Sequence, residues 1–201
     1  IQGAIDSITP KTLTGHTCVI ITDVATYAEQ VTVEGFSFTS GASSFTIRRS
    51  DPGFGKPVVA PLSTSTAAFK IVNSSVNISY IDIKPAQSVA YGVLASSSFV
   101  TISYVNVDAG GYIWQAGVRT STNATISYSS ITVTAAYGLQ IDGELTTVRY
   151  SSAMNSATST QPALFINGAS SNTISNSYFR SGSADGGSIN SSHYNAISYS
   201  T

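Results

Sequence analysis

The side chains with the clearest chemical potential are a few acids and arginines in the second half of the chain. Asp142 and Glu144 flank a glycine at a predicted bend, and Arg119 precedes them by about one repeat of the pattern described below. A carboxylate can attack a substrate or carry its protons while a cation holds an acidic sugar, so these three residues are the candidate catalytic group. The alternative is a turn aspartate with a surface ion pair of little energetic value. We favour that alternative and assign no catalytic residue.

Five tyrosines form a second candidate surface, because each occupies the third position of a repeated phrase. They are Tyr80, Tyr104, Tyr128, Tyr150 and Tyr199. Equivalent positions in successive coils of a parallel β-helix lie about 4.8 Å apart, so we expect the rings to stack along one bend. The ladder either fixes the register of the coils or forms an outward strip that packs on sugar rings or on a neighbouring filament. Asn176 replaces one tyrosine and fits both interpretations, because asparagine also forms ladders.

The phrase that carries these tyrosines is Ile-Ser-Tyr. Its leading apolar residues recur at intervals of 24, 24, 22, 26 and 23 residues, and a second apolar residue follows five positions after each of the first five. Such a period indicates stacked units, while short β-branched runs between polar turns indicate strands. Leucine-rich repeats need a leucine lattice and helical repeats a 3.6-residue stripe, and neither is present. The sequence therefore predicts an all-β fold, a right-handed parallel β-helix of seven or eight coils.

Composition excludes several classes of function. Of 201 residues only 9% are charged and the net charge is −1, so no electrostatic surface for nucleic acid is expected. No apolar run reaches the roughly 18 residues of a membrane span. The single cysteine, Cys18, excludes an intrachain disulfide and a cysteine zinc site, and we expect it to be buried. No cofactor or metal site is predicted, and the Ser/Thr/Asn-rich composition favours an extracellular or cell-surface protein.

The chain is predicted to be one domain with three parts. Residues 1–16 form an N-terminal cap with a helix over 1–9, because apolar residues there have helical spacing before Pro10. Residues 17–66 form irregular first coils with a proline-rich loop over 50–66. Residues 67–201 form regular coils, and we expect an uncapped C-terminus. Four asparagines also begin Asn-x-Ser/Thr sequons, which matter only in a host that glycosylates. They are Asn73, Asn77, Asn123 and Asn190.

The opening of the chain resembles that of pectin methylesterases and other pectin-lyase-like β-helix proteins. The matching segments are Ile1-Gln2-Gly3-Ala4-Ile5-Asp6-Ser7-Ile8, an apolar strand, and Tyr27-x-Glu29-Gln30-Val31-x-Val33. In that family the first segment is a capping helix and the second begins the β-helix. The resemblance implies the fold and suggests a polysaccharide lyase or esterase. The catalytic phrases of those enzymes are absent, and His16 and His193 lie far apart in the predicted stack.

Two classes of function follow from these observations. The first is a non-enzymatic structural or adhesive module that stacks end to end into a filament or belongs to a longer surface protein. Its partner is then another copy of the chain. The second is a carbohydrate-active enzyme or sugar-binding module whose partner is a pectin-type polysaccharide. The missing catalytic phrases favour the first class and the opening segment favours the second, since a fold by itself decides neither.

Overall fold

The chain winds through three parallel sheets and visits them in the same order in each coil. The computed structural model describes residues 1–39, 44–51, 53–96, 99–121, 123–155, 160–182, 184–198 and 200–201. Sheet 1 has eight strands, and sheets 2 and 3 have seven strands each. All strand pairs in these residues are parallel. The fold is thus an all-β parallel solenoid of about seven turns, which confirms the predicted class.

Each sheet collects one strand from every coil. Sheet 1 contains β2 (His16–Ile21), β6 (Ser44–Arg49), β9 (Val76–Ser79), β12 (Val100–Ser103), β15 (Ala124–Ser127), β18 (Thr147–Arg149), β21 (Thr173–Ser175) and β24 (Ala196–Ser198). Sheet 2 contains β3 (Thr26–Tyr27), β7 (Val58–Val59), β10 (Asp82–Ile83), β13 (Asn106–Asp108), β16 (Ser130–Val133), β19 (Ser152–Asn155) and β22 (Tyr178–Ser181). Sheet 3 contains β4 (Val31–Glu34), β8 (Ser65–Val72), β11 (Val89–Ser96), β14 (Ile113–Thr120), β17 (Tyr137–Ile141), β20 (Leu164–Asn167) and β23 (Gly187–Asn190). The remaining elements are α1 (Gln2–Asp6) and a two-stranded sheet of β1 (Thr12–Leu13) and β5 (Ser37–Phe38).

Aligned apolar side chains fill the interior. In sheet 1, Ile102 pairs with Ile78 on one side and with Ile126 on the other, and all three are buried. The apolar residue five positions later repeats this arrangement in sheet 2, where Ile83 pairs with Val107. Burial of each such side chain contributes about 2 kcal/mol, and a slip of one residue would turn all of them to solvent. The apolar repeat therefore sets the register of the coils.

One left-handed residue per coil marks the bend between sheet 1 and sheet 2 in five successive coils. At this position Tyr80, Tyr104, Tyr128, Tyr150 and Asn176 have left-handed backbone conformations with φ between 49° and 57°. A left-handed conformation costs a residue with a side chain about 1–2 kcal/mol, and asparagine tolerates it better than tyrosine. Because these five coils turn in the same way here, the side chains at this position lie above one another.

A column of glycines brings sheet 3 close to sheet 2. Gly92, Gly117 and Gly138 follow the paired residues at the start of their strands. A Cβ atom on Gly117 would lie 2.4 Å from Cγ2 of Ile131 in sheet 2 and 2.8 Å from the carbonyl oxygen of Gly138. The close approach of side chain and backbone explains why each of these three strands contains a glycine at this position.

The N-terminal helix is shorter than predicted and covers the edge of sheet 3. It spans Gln2–Asp6 and buries Ile5. The backbone N–H of Thr32 in β4 donates to Oε1 of Gln2 at 2.6 Å, and Nε2 of Gln2 donates back to the Thr32 carbonyl at 3.2 Å. The N–H of Gln2 donates to Glu29 at 3.1 Å. The polar residues of the opening motif thus satisfy the backbone of an edge strand.

The segment 50–66 belongs partly to the coil. Its strand β7 pairs with β3 on one side and with β10 on the other. Pro57 and Pro61 flank this strand, and their carbonyl groups accept hydrogen bonds from the next coil. Prolines can therefore lie beside β7 without removing a donor that the sheet needs, while Pro52 lies outside the described residues.

Candidate functional site

Arg119 and Asp142 form the centre of a hydrogen-bonded group on sheet 3. Nε of Arg119 donates to Oδ2 of Asp142 at 2.6 Å, and Nη1 donates to the Tyr91 hydroxyl at 2.8 Å. Nε2 of Gln140 donates to both carboxylate oxygens of Asp142, at 2.9 and 3.0 Å. The guanidinium carbon also lies 5.5 Å from the centre of the Tyr91 ring. These contacts fix the orientation of all four side chains.

The solenoid brings these residues together because β14 and β17 are neighbours. Arg119 pairs in register with Gln140, and Asp142 follows the last residue of β17. The backbone N–H of Asp142 donates to the carbonyl group of Thr120 at 2.9 Å, which continues the pairing past the strand. Asp142 therefore lies one coil after Arg119 and two residues past its register partner Gln140.

The positive charge of Arg119 in this group is balanced by the negative charge of Asp142. Burial lowers the pKa of Arg119, but the hydrogen bond and negative charge of Asp142, with a smaller contribution from Tyr91, raise it, and the net change is upward. The guanidinium therefore stays charged and its charge is paired with one carboxylate. Since Gln140 is neutral, the group as a whole carries no net charge.

Glu144 does not join this group. Its side chain is exposed, and its carbonyl group accepts a hydrogen bond from the N–H of Asn123 at 2.9 Å. Of the three candidate catalytic residues, the structure thus brings together Arg119 and Asp142 alone. In the part of the chain that the structure describes, no three His, Cys, Asp or Glu side chains lie close enough to hold a metal ion.

A cleft of about 400 Å³ surrounds the Arg119 group, and aromatic rings line it. Its lining residues are Tyr91, Trp114, Gln115, Arg119, Tyr137, Gln140 and Gln161. Trp114 is 58% exposed, and the Tyr137 ring stacks on Phe165 with centroids 4.6 Å apart. Trp114 is not among the residues that the repeat predicts to form a site. The feature of the sequence that could have indicated Trp114 is that it is the only tryptophan of the chain and lies next to polar residues in a strand pattern.

Four of the five candidate ladder tyrosines stack along the bend. The centroids of Tyr80 and Tyr104 are 4.6 Å apart, those of Tyr104 and Tyr128 are 5.0 Å apart, and those of Tyr128 and Tyr150 are 5.2 Å apart. Their planes differ by 5° to 8°. Because each ring covers the face of its neighbour, the ladder presents ring edges and hydroxyl groups to solvent. Tyr199 lies outside the described residues.

A ladder of serines, which the sequence analysis missed, runs beside the tyrosines. The hydroxyl groups of Ser129, Ser151 and Ser177 each accept the backbone N–H of the preceding coil, at 3.2 to 3.3 Å. Each also donates to the carbonyl group two residues earlier, at 2.8 to 2.9 Å. The repeated Tyr-Ser dipeptide is the sequence pattern that could have predicted this ladder. Together with the tyrosine edges, these serines line a shallow groove of about 680 Å³.

Two further expectations concern single residues. Cys18 is exposed, so the prediction that it is buried was wrong. Strand β2 alternates, with Val19 and Ile21 pointing inward and Cys18 and Ile20 pointing outward. Among the sequon asparagines, Asn73 and Asn190 are exposed, while Asn77 and Asn123 are partly buried.

Comparison of the chain with protein-family models, with curated proteins and with solved structures gave no match. The structure itself defines the class of this protein, which is a parallel β-solenoid. None of the helices in the described part of the chain is long and apolar enough to cross a membrane.

Proposed function

We propose that this protein is a non-enzymatic, extracellular adhesive module that binds a neutral polysaccharide in the cleft around Arg119. The observation that carries the proposal is the exposed Trp114 ring beside a rigid set of polar side chains. An aromatic face packs against the apolar C–H face of a sugar ring, and fixed donors and acceptors select its hydroxyl groups. The pectin-lyase-like relationship suggested by the opening motif belongs to the same proposal.

The charge of the cleft points to a neutral sugar. A site that holds a uronic acid favours a cation whose charge is uncompensated, and the charge of Arg119 is already paired with Asp142 at 2.6 Å. Breaking this pair to bind a sugar carboxylate would leave Asp142 without its strongest partner in a partly buried place. Two further side chains that line the cleft, Gln115 and Gln161, are neutral amides.

The same contacts favour binding over catalysis. Glycosidases and esterases of this kind need one carboxylate to attack or accept a proton and a second group to complete the reaction. Both oxygens of Asp142 accept hydrogen bonds from Arg119 or Gln140. Glu144, the other candidate acid, is not part of the group. The carboxylate therefore positions Arg119 and Gln140, which in turn position the ligand.

The single tryptophan provides a direct test. Because Trp114 is the only tryptophan, its emission reports on the cleft without background. Titration with neutral oligosaccharides, from glucans, mannans and galactans, is expected to shift the emission to shorter wavelength and to reduce quenching by acrylamide. Oligogalacturonate is expected to give a weaker change. If no saccharide in this panel alters the emission, the proposal fails.

Variants locate the site. Trp114→Ala is expected to weaken binding, measured by calorimetry, at least tenfold, which equals about 1.4 kcal/mol. Phe54→Ala is the matched control, because Phe54 is an exposed aromatic residue that does not line the cleft. Equal loss of affinity in both variants would contradict the assignment. Turnover of pectin by the wild type that disappears in Asp142→Asn would instead favour a carbohydrate-active enzyme.

The sequence also predicts that copies of the chain stack end to end into a filament, and this prediction is separate from saccharide binding. Negative-stain electron microscopy with light scattering measures it directly. Fibres would add self-assembly to the proposed adhesion, and a monomeric preparation would exclude the filament while leaving the saccharide titration to decide the rest.

A further inference from the structure

The stacked tyrosines carry a second inference that does not depend on saccharide binding. We propose that Tyr80, Tyr104, Tyr128 and Tyr150 are a site of oxidative cross-linking. In this site, neighbouring rings become joined as dityrosine when hydrogen peroxide and a haem peroxidase supply one-electron oxidation. The products are covalent bonds between successive coils of the solenoid.

Geometry brings the reacting rings together in advance. Ring centroids are 4.6 to 5.2 Å apart and the planes are nearly parallel. All four residues occupy the same left-handed bend, so their Cα atoms are held at the spacing of the coils. A phenoxyl radical formed on one ring therefore has a second tyrosine at contact distance, which gives it a high effective concentration.

The rings are also accessible to an oxidant. Tyr104, Tyr128 and Tyr150 are 38%, 47% and 52% exposed. Within the described residues, no protein group makes a hydrogen bond with the hydroxyl groups of the four ladder tyrosines. Because Tyr104, Tyr128 and Tyr150 are exposed and Tyr80 is half-buried, the phenols can release their protons to water as they lose an electron.

The chemistry balances with the named oxidant. Two phenols each lose one electron and one hydroxyl proton, which gives two phenoxyl radicals. A bond forms between one ortho carbon of each ring, and the two ortho hydrogens then move to the oxygens and restore both phenols. The net loss is two electrons and two protons for each link, and these reduce one hydrogen peroxide to two water molecules. Coupling needs the rings to tilt, and the groove beside Tyr104, Tyr128 and Tyr150 leaves space for this motion.

The ladder predicts how many links can form. With one coupling per ring, the four rings in the row pair off at most twice, as Tyr80 with Tyr104 and Tyr128 with Tyr150. The wild type is therefore expected to lose up to four hydrogen atoms in intact mass. Tyr128→Phe leaves only the first pair and is expected to lose at most two. The double substitution of Tyr104 and Tyr128 by Phe separates the remaining tyrosines and is expected to lose none by this route.

The experiment treats dilute protein with peroxidase and hydrogen peroxide and measures dityrosine fluorescence, intact mass and mobility on a denaturing gel. Phenylalanine keeps the ring stacking, so circular dichroism is expected to show that the variants fold. Tyr112→Phe is the matched control, because Tyr112 is 45% exposed and has no stacked ring partner among the described residues. This control is expected to keep the wild-type number of intramolecular links.

Tandem mass spectrometry of a digest locates the links. Tyr80–Tyr104 and Tyr128–Tyr150 peptides in a monomeric band support the proposal, and the linked protein is expected to melt at a higher temperature. The proposal is overturned if folded wild-type protein forms no link, if dityrosine appears only in dimers, or if the double variant forms as many intramolecular links as the wild type.

Discussion

Replacing Gly117 by alanine tests whether the glycine column is required by packing. The added Cβ would lie 2.4 Å from Cγ2 of Ile131, 2.8 Å from the Gly138 carbonyl oxygen and 3.0 Å from Cγ1 of Val133. One of these contacts is backbone in the neighbouring strand, so no rotamer change removes it. Overpacking of this kind lowers the free energy of unfolding by about 1–3 kcal/mol. Alanine also restricts the unfolded chain more than glycine does, and this effect raises the free energy of unfolding by about 0.4–1 kcal/mol.

We therefore expect Gly117→Ala to lower the free energy of unfolding by about 1–2 kcal/mol, which moves the urea midpoint down by about 0.5–1 M. Circular dichroism and the emission of Trp114, which lies in the same strand, measure the transition together. Gly15→Ala is the control, because no heavy atom lies within 4 Å of a Cβ at that glycine. A midpoint for Gly117→Ala within about 0.2 M of the wild type would show that the sheets separate at no cost and would refute the packing explanation.

Three further outcomes are expected. Ser151→Ala removes the acceptor of the buried Ser129 N–H and should cost about 1–2 kcal/mol in urea unfolding, so unchanged stability would contradict the role of the serine ladder. Thr120→Val removes a buried hydroxyl that has no hydrogen-bond partner and should stabilise the protein by about 1 kcal/mol, whereas a loss of stability would show that the hydroxyl is satisfied. The pKa of Asp23 lies below its ordinary value of 3.8, first because of the Ala25 N–H and then because of a tyrosine hydroxyl. The stability that this carboxylate contributes is thus present above pH 3.8 and is lost as the pH falls through the folded pKa, so the difference between wild type and Asp23→Asn should disappear in acid.

The architecture follows from the sequence because the solenoid repeats one local rule. The apolar leaders such as Ile78 and Ile102 recur at nearly constant intervals, and parallel stacking places equal positions of successive coils in contact. The same rule brings Arg119 beside Asp142, since one coil separates them. It also predicts that residues at the bend stack, as Tyr104 and Tyr128 do.

The positions and contacts of outward-facing side chains do not follow from the repeat in this way. An apolar run such as Cys18 to Ile21 does not reveal which of its alternating residues point inward, because all four could be core residues by type. Glu144 is two residues from Asp142, but the backbone past β17 carries it out of the cleft. The aromatic part of the cleft depends on Trp114, whose position in the sequence belongs to no repeated phrase.

The sequence by itself determined the coil length, the inward apolar columns and the bend that stacks the tyrosines, because these properties depend on spacing along the chain. Only the tertiary structure decided which side chains on the outer face meet. The contacts of Arg119 with Tyr91, Asp142 and Gln140 join three successive coils. They arise from the register of β11, β14 and β17, which brings Arg119 beside Gln140 and within reach of Tyr91 and Asp142.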